Sequence, residues 1–85
     1  MIGKCFTGGL GSQYAIILEA GRNDSFNGVV VYVHPRTHAN SSVKSRIGNF
    51  HNWTFYSYTE IPKEEFLKAY KQAIQEQVLS IEAAL

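Results

Sequence analysis

At Pro62 the apolar residues of this chain change their period, and that change sets the architecture. Before it they alternate every second residue or run on continuously; beyond it they recur every three to four. Phe66, Leu67, Tyr70, Ile74, Val78, Ile81 and Leu85 fall on one helical stripe, with Ala73, Gln77 and Ala84 inside it. Pro62 suits a first helical turn, where its missing N–H is not needed, and Glu64 and Glu65 follow where the helix dipole favours acids. One amphipathic helix over about 62–84 has a length of roughly 35 Å. That is enough to cover one face of a small sheet.

The strands come first. Residues 2–7 read as a short strand running into the loop Gly8-Gly9-Leu10-Gly11-Ser12. Residues 14–20 alternate, with Tyr14, Ile16, Leu18 and Ala20 on one side and Ala15, Ile17 and Glu19 on the other. Residues 21–28 are turn-rich and end in Asn-Gly, a reversal signal. The β-branched run at 29–34 is the pattern of a central strand, and Pro35 ends it because proline cannot donate to a ladder. A long polar connection at 35–49 follows, with Val43 and Ile47 placed for a short edge strand inside it. Residues 50–59 read as the last strand, with Trp53, Phe55 and Ser57 on one face and Thr54, Tyr56 and Tyr58 on the other.

The expected fold is therefore an α+β domain over residues 1–85. A small antiparallel β-sheet of three to five strands, about 2–59, carries one C-terminal amphipathic α-helix on one face. The expected core face is Ile16, Leu18, Val29, Val31, Val33 and Phe55, or its alternate register. The opposite face would hold Ile17, Val30, Tyr32, His34, Tyr56 and Tyr58, too apolar for plain solvent. A second subunit, the 35–49 connection or a ligand is expected to cover it.

Charge narrows the function classes. The net charge is only +1, yet residues 25–59 contain no Asp or Glu while holding Arg36, Lys44, Arg46 and all three histidines. Seven of the eleven aromatics share that window: Phe26, Tyr32, Phe50, Trp53, Phe55, Tyr56 and Tyr58. A dedicated double-stranded DNA binder needs a stronger basic excess, so only a local anion site is supported. Arg36, His38, Lys44 and Arg46, with neighbouring hydroxyls, form a cationic loop of the kind that grips phosphate oxygens. Aromatics on a strand supply stacking surfaces, although half of any strand points inward.

Other chemistries fit poorly. The glycine loop lacks the lysine of a P-loop, and Tyr14 stands where the dinucleotide fingerprint needs its third glycine. His34 and His38, with His51 and Cys5 elsewhere, do not make a convergent zinc set. Cys5 with a histidine is the only conceivable nucleophilic dyad, and no acid in 25–59 could orient it. The single cysteine calls for no oxidising compartment, and neither a signal-peptide core nor a membrane span is evident. The expectation is a cytoplasmic, non-enzymatic binding protein, without cofactor or metal, acting as a homo-oligomer. It would recognise a nucleotide or single-stranded nucleic acid through Tyr32, His34, Arg36, His38, Lys44, Arg46, Tyr56 and Tyr58. The rival is a protein–protein inhibitor or adaptor, of the phage or mobile-element kind, that uses the same aromatic face as an interface.

Overall fold

The computed structural model describes residues 1–33 and 45–85. Among these residues five strands precede one helix: β1 (Cys5–Gly8), β2 (Gln13–Ala20), β3 (Phe26–Tyr32), β4 (Arg46–Trp53), β5 (Thr59–Ile61) and α1 (Lys63–Ala84). The strands form one antiparallel sheet in the order β4-β3-β2-β1-β5. The α+β architecture and the C-terminal helix follow the sequence reading. Pro62 itself is the extended N-cap rather than a first-turn residue, and its carbonyl accepts the Glu65 N–H at 3.1 Å.

Register assigns the faces. Tyr14 pairs with Val31, which pairs with Ile47; Cys5 pairs with Ile16, which pairs with Val29. These residues lie under α1, where Cys5, Val31, Phe66 and Ala73 are buried together. Phe6, Ala15 and Val30 are partners on the opposite side, joined there by Ile17 and Phe50 in a second buried cluster. Ile16, Val29, Val31 and Val33 thus face the helix as expected. Leu18 and Phe55 do not. Register breaks between Ile17 and Glu19 in β2, leaving Leu18 unpaired at a bulge and 53% exposed.

The second face is closed by the chain itself. Because β4 and β5 are the two outer strands, the connection 54–58 must cross the sheet, and it does so as a strap opposite the helix. Phe55 lies 5.2 Å from both Phe6 and Phe50, centroid to centroid, and 5.2 Å from Tyr58; Trp53 edges onto Phe50 and Tyr58. This corrects the reading of 50–59 as one strand, and Phe55 becomes the centre of the second core. It also removes the need for a subunit or a ligand on that face.

Two glycines seat the strap-side aromatics. A Cβ on Gly28 would collide with the Ile16 carbonyl oxygen and stand 2.7 Å from the Phe50 ring; one on Gly8 would stand 2.9 Å from the Tyr58 ring. Asn27-Gly28 is therefore mid-strand packing rather than the expected reversal, which falls at residues 21–25. β4 ends where Asn52 takes a left-handed backbone, φ 54°. Its N–H donates to Asn27 Oδ1 at 2.9 Å, and its own Oδ1 accepts the Arg22 N–H at 2.8 Å. Asn27 in turn donates to Glu19 at 3.0 Å. That network turns the chain off the sheet edge and aims it across the face.

Candidate functional site

Of the eight residues expected to bind a ligand, His34, Arg36, His38 and Lys44 lie outside the described residues. The other four divide. Tyr32 and Arg46 are cross-strand partners at the end of β3 and β4, and the Arg46 guanidinium sits 5.9 Å above the Tyr32 ring. Tyr58 is at the same end, resting on Gly8 with its hydroxyl donating to Gln13 Oε1. Tyr56 is almost fully exposed and lies at the opposite end, beside Arg22, Asn23 and Asp24. The alternation expected for 50–59 failed because the strap is not a strand. Tyr56 and Tyr58 therefore do not share a stacking surface.

A cleft of about 530 Å³ opens between the β1–β2 loop and the end of β3, lined by Gly9, Leu10, Gly11, Ser12, Gln13, Tyr32 and Val33. Its size suits one small ligand. Sequence reasoning named Tyr32 but missed the loop as its opposite wall; the cross-strand pairing of Gln13 with Tyr32 brings them together. Among the described residues no acidic side chain lines it. The loop is tightly wound: Gly9, Leu10 and Gly11 all have positive φ (60°, 58° and 85°). The Gly11 and Ser12 N–H groups donate to the Gly8 and Gly9 carbonyls at 3.2 and 3.1 Å, so neither is left for an anion. Among the described residues Ser12, Gln13 and Tyr32 bring polar side chains to the lining, and Arg46 lies outside it, over the Tyr32 ring. Leu10 is fully exposed in a conformation that costs a leucine about 1–2 kcal/mol.

Burial pushes the Tyr58 phenol above the usual tyrosine range, with Tyr32 adding to the effect. Burial likewise raises the Cys5 thiol, against a smaller opposing pull from Lys63, and the sulfur faces the Gly3 carbonyl at 3.9 Å. The thiol lies buried under the helix with Val31, Phe66 and Ala73. His51 is exposed on β4. Among the described residues no three His, Cys, Asp or Glu side chains converge on a metal position, and no helix is long and apolar enough to cross a membrane. The chain matches no known protein family, no curated protein and no solved structure.

Proposed function

We propose that this chain is a small non-enzymatic binding protein, acting as a homo-oligomer, that takes one phosphate-bearing ligand of nucleotide size at the Tyr32 cleft. The observation that carries the reading is Tyr32: it walls a concavity that no acidic side chain lines among the described residues, and the Arg46 guanidinium lies over the same ring, outside that lining. Arginine can fork onto phosphate oxygens while its plane stays against the ring. From the opposite wall Gln13 offers its side-chain amide N–H groups, its Oε1 already accepting the Tyr58 hydroxyl, while the Ser12 hydroxyl donates to the Gly9 carbonyl at 2.6 Å. An extended single strand is the weaker form of the reading. Phe55 and Tyr58 are packed into the second core, and Tyr56 is remote, so of the described tyrosines expected to stack Tyr32 alone stands beside the basic group.

The test begins with absorbance and native mass of the purified protein, which would reveal a retained nucleotide. Titration with a fluorescent adenine nucleotide and with a short oligothymidylate follows. The nucleotide is expected to bind, and Arg46→Glu to weaken it at least tenfold without changing the fold. Binding that survives Arg46→Glu, or an oligonucleotide far tighter than the mononucleotide, overturns the cleft as the site. The second reading, a protein–protein adaptor, is favoured by a different observation: the apolar residues that α1 leaves exposed.

A further inference from the structure

The helix does not spend its apolar residues on one face. Phe66, Ala69, Tyr70 and Ala73 turn to the sheet, and only Phe66 and Ala73 are fully buried. A second row stands roughly 110° further round the helix at 3.6 residues per turn. It consists of Leu67, Lys71, Ile74, Val78, Ile81 and Leu85, and its spacing alternates four, three, four, three, four. That is the heptad seam of a two-helix coiled coil. Its apolar members are 39–100% exposed, Ile74 least and Leu85 most.

We propose that a second copy of this chain covers the seam, helix against helix and antiparallel. The inference rests on the oligomeric part of the functional reading and is independent of the ligand. The register argues for self-association because it complements itself. With the two-fold axis at Glu76, Leu67 meets the partner's Leu85, Lys71 meets the partner's Ile81, and Ile74 meets the partner's Val78. On one flank, Lys68 then stands opposite the partner's Glu82, twice by symmetry, with the Gln75 side chains between them. The other flank pairs Tyr70 with the partner's Ala84 and carries no like charges. Lys71 lays its aliphatic stem on isoleucine and keeps its ammonium in water.

A parallel pair has the opposite electrostatics. It stacks Lys71 on Lys71 inside the seam and sets Lys63 against Lys68 on both flanks. Like charges in those positions select against an arrangement, as e and g charges do in coiled coils generally. The dipoles of the two helices also oppose each other favourably only in the antiparallel pair.

Sedimentation equilibrium of the full chain tests this. The expected result is a dimer at micromolar concentration. Ile81→Asp should raise the dissociation constant about a hundredfold, with an unchanged circular dichroism spectrum at low concentration, since Ile81 is outside the fold's core. Lys68→Glu and Glu82→Lys should each weaken the dimer about tenfold. Mixing those two variants, or combining both changes in one chain, should restore it. A wild type that stays monomeric up to millimolar concentration overturns the proposal. So does a dimer that ignores Ile81→Asp, or one whose charge variants fail to rescue each other. Nucleotide titration of the same samples keeps the ligand reading separately measurable.

Discussion

The two faces of the sheet are closed by very different amounts of chain. On one side, 22 helical residues bury two of their own side chains completely. On the other, five residues of irregular strap place Phe55 and Tyr58 against Phe6, Phe50, Gly8 and Tyr32 and close the face. Aromatic rings explain the economy, because each carries a large apolar area on a short stem and holds its neighbours edge-on or offset. A helix brings a rigid cylinder instead, and whatever it does not press on the sheet stays available for another surface. Closure by helix is extravagant in residues and generous in new interfaces; closure by strap is frugal and uses nearly all it has.

The largest effects should show whether the two closures are equivalent. Phe66→Ala is expected to cost about 4 kcal/mol, and Phe55→Ala about 3 kcal/mol although Phe55 is only half-buried. Urea denaturation of both reads the comparison directly. A Phe55→Ala loss below about 1 kcal/mol would show that the strap is an ornament on a helix-stabilised sheet. Next in size, Gly28→Ala should cost about 2–3 kcal/mol, because Phe50 and the Ile16 carbonyl must both move. The same substitution at Gly11, where nothing lies within 4 Å of the added carbon, lacks that clash and meets only the strain of φ 85°.

The smallest effect sharpens the strap's attachment. Tyr58→Phe removes the hydroxyl that donates to Gln13 and should cost about 1 kcal/mol near neutral pH. Its pH dependence is the more telling readout. The folded phenol titrates above the unfolded one, so its stabilisation is complete below about pH 10 and is lost as pH rises through the folded value. Wild type should therefore lose stability more steeply than Tyr58→Phe above about pH 10. Equal slopes would place Tyr58 in water rather than on Gly8.

Much of this architecture is legible in the residues. The alternation around Tyr14–Ile17, the β-branched run from Val29 and the period change at Pro62 are one-dimensional patterns, and they specify strands and helix without further information. Three features are not legible, each for a physical reason. A bulge at Leu18 and the left-handed turn at Asn52 interrupt the count of two, and beyond such a break every later side chain changes face. Residues 50–58 are rich in aromatics whether they pair as a strand or cross as a strap, since aromatics serve either role. The two helical rows lie close enough to merge into one broad stripe until the sheet shows which of them it takes. For the site, Tyr32 carries a signal as an aromatic on a β-branched strand and Arg46 as a cation in an acid-free stretch, whereas their pairing and the loop wall opposite Tyr32 come from tertiary structure alone.

The strap also dictates the order in which the chain can assemble. β2, β3 and β4 each pair with the strand before them, so their ladders form between segments near in sequence. β5 must instead find β1, matching Ile61 to Cys5, after the chain has travelled the breadth of a sheet already in place. Long-range pairings of this kind form late, because the entropy of closing so large a loop is lost before any contact repays it. The four-strand meander is thus the template, and strap, β5 and helix arrive as one cooperative unit. In kinetic terms, substitutions at Val30 or Ile17 should slow folding, whereas those at Phe55 or Ile61 should chiefly hasten unfolding.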